Sequence, residues 1–251
     1  NLLKSMKHFA LKIAYNGTFF SGFAPQKTKH IQSVSEKILE VLQSIGIDSL
    51  PLGAGRTDKG VHALGMVITI SAQEHWEANK LHHLLSQKLY PYIFIRKIWE
   101  VKEDFHPRFS ATKRSYYYIF SPHLQNPFLA PYISHEYIGD IALFRQCLEA
   151  CIGWHNFELF KKQGSKTKSD IRHIMYAKCK ILHRFHSTYY LVHIQANGFL
   201  RAQIRMLIGA ALAVSQGKLT FAEFCLQLNA TKQHHTSLAS PQGLFFAKVW
   251  Y

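Results

Sequence analysis

The chain has 251 residues, 47% of them apolar and 18% charged, so it is expected to be a soluble globular protein with a sizeable core rather than a disordered segment. Its 30 Lys and Arg against 15 Asp and Glu give a formal charge of +15, which points to a polyanionic partner, with RNA or DNA ahead of a membrane surface. The composition excludes other classes. Four cysteines without a CxxC pair make neither a disulfide framework nor a zinc site, and the sixteen histidines include no HExxH. No apolar run approaches a membrane span and no signal-type segment opens the chain, so the cytoplasm is the expected location, with Met6 as the expected natural start.

Taken in chain order, HFALKIAY (residues 8–15) alternates Phe9, Leu11, Ile13 and Tyr15 on one face and predicts a half-buried strand. A loop with Asn16, Gly17 and Gly22 follows. Ile31, Val34, Ile38, Val41, Leu42 and Ile45 then recur at helical spacing, with Ser33 and Glu36 offering a capping box and Gly46 a stop. After a glycine-rich stretch come a strand at 66–72, a helix around Trp76 to Leu89, and a strand at 93–101. The second half repeats the scheme with a strand at 111–120 and a helix through Leu143, Cys147 and Cys151, stopped at Gly153. Strands at 171–182 and 188–196, helices at 200–215 and 220–228, and a strand at 244–250 complete it. This βαβ-like order predicts an α+β protein of two subdomains of ferredoxin or RNA-recognition type, residues 1–107 and 108–251. The basic residues (Lys4, Lys7, Lys27, Lys29, Arg108, Lys113, Arg114, Lys161, Lys162, Lys166, Lys168, Arg201 and Arg205 among them) are scattered, so an anion-binding surface would belong to the fold rather than to a tail.

The stretch GAGRTDKGVHALG (residues 53–65) carries the chemistry. Val61 and His62 stand where a P-loop needs Lys and Ser or Thr, and Asp58 stands where a GxGxxG fingerprint needs its last glycine. Three readings remain. Asp58 and His62 could be an acid–base pair; Arg56 and Asp58 could simply tie a loop; or the glycines could present Asp58 as a poorly solvated nucleophile. In the last case a nearby guanidinium would keep the carboxylate ionised, because an opposite charge within a few ångströms lowers a carboxylate pKa by about 1–3 units.

GRTDKGVHALG resembles the signature of the pseudouridine synthases of the tRNA pseudouridine synthase A family. Four more segments match that family in order: YNGTFFSGF (15–23), HPRFSATKRSYYY (106–118), GFLRAQIRMLIG (198–209) and SPQGLFF (240–246). Departures fall at Asn16, Phe23, Ala24, Lys59, Met66 and Arg201, positions that the resemblance ties to RNA contacts and loop packing more than to chemistry. The resemblance implies isomerisation of uridine to pseudouridine in the anticodon stem-loop of tRNA, at about positions 38 to 40. It also implies two ferredoxin-like subdomains forming one continuous, mainly antiparallel sheet with the active cleft on the face away from the helices, a homodimer, and no cofactor or metal.

On the same resemblance Asp58 is the nucleophile and Arg205 the arginine that pairs with it. Tyr116 stacks on the extruded base and helps move its C5 proton. Arg56 stabilises the flipped nucleotide, Leu244 lines the apolar pocket wall, and Phe105, His106 and Arg108 line the RNA path. Strand alternation puts Tyr118 on the face of Tyr116 and Tyr117 on the other, with Tyr118 expected in the core. The competing reading is a non-catalytic RNA-binding module that uses these tyrosines as stacking platforms.

Overall fold

The computed structural model describes residues 6–25, 31–164, 167–184 and 186–251. Lys4, Lys27, Lys29 and Lys166, counted above among the scattered basic residues, lie outside the described residues. The chain forms two compact units, residues 1–112 with 245–251, and residues 113–244. The sequence reading had drawn one boundary, between 107 and 108; the last strand instead returns to the first unit.

The first unit contains β1 (Met6–Tyr15), α1 (Val34–Gln43), β2 (Leu52–Gly53), β3 (His62–Gln73), α2 (Ala78–Leu89) and β4 (Ile93–Val101). β1 lies between β4 and β3 and pairs antiparallel with both. The alternation in β1 is the reason it sits centrally. Phe9, Leu11 and Ile13 are fully buried, as are Ile38 and Leu42 of α1 and Leu81, Leu85 and Leu89 of α2. Burying each such side chain stabilises the fold by about 1.5–3 kcal/mol. α1 begins where the sequence placed its cap: Ser33 Oγ accepts from Glu36 N at 3.2 Å, and Glu36 Oε2 accepts from Ser33 N at 2.8 Å. β3 starts at His62, four residues earlier than the strand read from sequence, so the signature stretch runs directly into it.

The second unit contains β5 (Lys113–Ser121), β6 (Ser134–His135), α3 (Ile141–Ala150), β7 (Gly153–Asn156), β8 (Ile171–Arg184), β9 (Ser187–Ala196), α4 (Gln203–Ser215) and α5 (Phe221–Leu228). β5, β9, β8 and β7 pair antiparallel in that order, and the short β6 lies parallel beside β5. α4 is largely apolar, and 11 of its 13 residues are buried, which makes it the central helix of the unit. β10 (Leu244–Trp250) then pairs parallel with β3 in the first unit, Phe245 opposite His62 and Phe246 opposite Ala63. Both units are therefore mixed α+β with mainly antiparallel pairing, five helices in all among the described residues. No helix among them is long and apolar enough to cross a membrane.

Candidate active site

Asp58 sits on a loop fastened from three directions within the first unit. Its backbone forms an isolated bridge with Gly22, and its carbonyl accepts from Val61 N at 3.1 Å, closing a turn. Gly60 occupies that turn at φ 80°, a conformation a side chain would strain. One residue earlier, the buried Thr57 meets the Tyr15 hydroxyl with Oγ1 at 2.8 Å, and its carbonyl accepts from Phe23 N at 3.1 Å. Phe23 is itself buried, its ring lying where a Cβ on Gly53 would stand. Residues 20–23 thus lie between the Asp58 loop and the start of α1, where Gly22 and Phe23 carbonyls accept from Val34 N and Ser35 N. Asp58 itself is half-buried and Arg56 is exposed.

The acid–base reading of Asp58 with His62 loses support here. His62 is 1% exposed, its Nδ1 accepts from Gly17 N at 3.0 Å, and its ring stacks on Phe245 at 4.7 Å. Asn16, one of the departures, still caps the short turn after β1, its Oδ1 accepting from Thr18 N at 3.1 Å.

Arg56, His106 and Arg108, singled out separately in the sequence, meet on one groove of the first unit. A cavity of about 300 Å³ is lined by these three with Phe23, Leu50 and Phe109. The imidazole of His106 organises the loop, its Nδ1 accepting from Arg108 N at 3.0 Å and Phe109 N at 3.3 Å. Phe109 is 76% exposed, with the Arg108 guanidinium 5.6 Å from its ring centre. Two guanidinium groups beside an exposed ring suit a phosphate and an unstacked base. Phe105 does not line the groove; it packs on Tyr251 at 4.8 Å.

The remaining predicted residues belong to the second unit. Tyr116 is 8% exposed and meets Phe199 edge-on at 5.1 Å. Tyr118 is in the core, as expected: its hydroxyl donates to Glu136 Oε1 at 3.0 Å, and burial first, then the Glu136 charge, push its phenol well above the ordinary value. The same carboxylate oxygen accepts from Ser240 N at 2.8 Å, which fixes the approach to Leu244. Tyr117 faces the other way, against His193. Arg205 is held on α4 by a double clamp, its Nε donating to Ala239 O at 2.7 Å and its carbonyl accepting from Ala239 N at 3.0 Å. Leu244 is 6% exposed.

Sequence reasoning did not single out Thr57 or Glu136, and it used Tyr15 only as a core position. Tyr15 had a readable signal, a hydroxyl at the buried end of a strand, but Glu136 had none. Among the described residues no group of three or more His, Cys, Asp or Glu could hold a metal ion. The cysteines are free thiols, and burial pushes Cys147 and Cys179 up to about 12.

Comparison with known proteins gives the class first. Residues 148–251 match the family model of the tRNA pseudouridine synthases. Over 98% of this chain and 100% of its own length, tRNA pseudouridine synthase A of Helicobacter hepaticus is 45% identical. The proteins of the same name from Helicobacter pylori and Helicobacter acinonychis are each 37% identical over the same shares. The chain belongs to the tRNA pseudouridine synthase A family, whose members are isomerases.

Proposed function

We propose that this protein converts uridine to pseudouridine in the anticodon stem-loop of tRNA, at about positions 38 to 40, with Asp58 as the nucleophile. The reading is carried by one observation: the RTD loop is intact and built into the fold in a chain 45% identical to a tRNA pseudouridine synthase A along its whole length. In the reaction the N1–C1′ bond of uridine breaks, the base turns, a C5–C1′ bond forms, and the C5 proton is lost while N1 gains one. Nothing is oxidised or reduced. A nucleophile, proton transfer and confinement supply the chemistry.

Arg205 is assigned to hold the Asp58 carboxylate ionised, and its clamp to Ala239 supports a fixed guanidinium. Tyr116 stacks on the extruded base and helps move the C5 proton, and Leu244 lines the pocket wall. Arg56, His106 and Arg108 guide the RNA, a role their shared groove supports, and Phe105 is assigned to the same path. The antiparallel order β4–β1–β3–β2 in the first unit, with α1 joining β1 to β2 and α2 joining β3 to β4, supports a ferredoxin-like subdomain, and the second unit is read as its counterpart. The working form is a cytoplasmic homodimer that needs no cofactor.

Asp58→Ala is expected to abolish tritium release from tRNA carrying 5-tritiated uridine, while tRNA affinity stays within about threefold of wild type. Arg205→Ala should lose turnover as well. Retained turnover in the Asp58 variant refutes the nucleophile, whereas wild type that binds tRNA but releases no tritium favours the RNA-binding module.

A further inference from the structure

Four cations from three strands gather on the first unit, away from the groove that holds Arg56. Lys12 of β1 lies directly opposite Lys97 of β4, on the strand face that alternates with the buried Leu11 and Ile13. Its stem crosses β3 at Gly65: a Cβ there would stand 3.1 Å from Lys12 Cε and 2.7 Å from the Ala247 carbonyl of β10. The next residue of β10 is Lys248. Arg96 completes the group, one of its five N–H donors bound to Leu64 O at 2.7 Å. Lys97 and Lys248 each reach over a half-buried indole, with Nζ 5.8 Å from the Trp99 ring centre and 4.7 Å from that of Trp250.

Among the described residues no carboxylate pairs with any of the four. The ammonium of Lys12 is pushed below its ordinary pKa by burial first, and then by Arg96, Lys248 and Lys97. Like charges this close repel one another and weaken the folded state, a cost that a bound polyanion removes. The strands involved, β4, β1, β3 and β10, are consecutive in the sheet, so the group spans roughly 14 Å, wide enough for more than one phosphate. Lys12 is three residues, roughly 10 Å along the strand, from Tyr15, whose hydroxyl meets Thr57 beside Asp58.

We propose that Lys12, Arg96, Lys97 and Lys248 form a phosphate-binding platform that holds the tRNA backbone close to the nucleotide presented to Asp58. The occupant rests on the pseudouridine synthase reading above; the platform itself rests on the four side chains. The indoles hold the Lys97 and Lys248 ammonium groups out along the surface by cation–π attraction, and Gly65 leaves Lys12 room to cross β3. Phosphate contacts of this kind position RNA without reading its sequence.

The test compares tRNA binding across a salt series for wild type, the exposed pair Lys97→Gln/Lys248→Gln, Lys12→Gln, and a control pair of equal charge change on α2, Lys80→Gln/Lys88→Gln. The platform pair should lower the magnitude of the log K against log salt slope by about 1.4–1.8, two lost phosphate contacts, and Lys12→Gln by about half of that. KM for tRNA should rise while kcat at saturation stays within about twofold. A wild-type slope in the platform pair, or an equal fall in the α2 pair, overturns the platform. If wild type forms no pseudouridine in tRNA, the enzymatic reading fails instead, whatever the slopes show.

Discussion

The Tyr15–Thr57 contact offers a direct measure of how the Asp58 loop is held. Tyr15→Phe removes only the oxygen 2.8 Å from Thr57 Oγ1, at a place where Tyr15 is 4% and Thr57 6% exposed. Water does not reach the site to replace the lost partner, so the Thr57 hydroxyl bears the cost of an unsatisfied buried group, about 1–3 kcal/mol. Thermal unfolding should register this as about 2–4 °C per kcal/mol for a chain of this size. The loop also loses one of its fastenings. A displacement of about 1 Å in a catalytic group reduces turnover up to about 100-fold, so kcat should fall more than KM rises. Thr57→Val in the Tyr15→Phe background should restore part of the stability, since both ends of the pair are then apolar. Tritium release and calorimetry on the two single variants and the double variant close the cycle. A Tyr15→Phe protein within about 0.5 kcal/mol of wild type and within twofold in kcat would refute the reasoning.

Two further predictions concern the second unit. Gln227, fully buried, donates to Leu159 O and His235 O and accepts from His234 N and His235 N, so Gln227→Ala should cost about 3 kcal/mol or more, read as a fall in Tm. His235 and His193 both lie below the ordinary imidazole value, lowered first by burial. Below about pH 6.5 the unfolded chain therefore binds more protons than the folded one. Stability present above that pH is lost as pH falls toward the folded values. Tm should drop between pH 7.5 and 5.5, and His235→Gln should shrink the drop; an unchanged drop removes His235 from the account.

The elements that read correctly from sequence are those whose local signals agree. β1 alternates cleanly, and α1 carries both halves of its capping box. α5, predicted at 220–228, carries the same signature in Thr220 and Glu223, and both bonds form. α4 starts at Gln203 rather than Leu200 because Ala202 takes a left-handed conformation with no side-chain cap, which no residue type announces. β3 reaches back to His62 because β1 and β10 pair with it there, a tertiary cause invisible in a stretch containing Gly65. β7 is four residues long, and Gly153 was read only as a helix stop. The candidate site divides in the same way. The motif named Asp58, but the meeting of Arg56 with His106 and Arg108 depends on about fifty intervening residues folding first.

The return of β10 to the first unit has a consequence for biosynthesis. His62 has no ring to stack on, and β3 lacks its parallel neighbour, until Phe245 has left the ribosome. The nascent first unit therefore waits, with the start of β3 unpaired on that side, while the second unit is translated, and β10 acts as a latch that couples maturation of the Asp58 loop to synthesis of the segment between them.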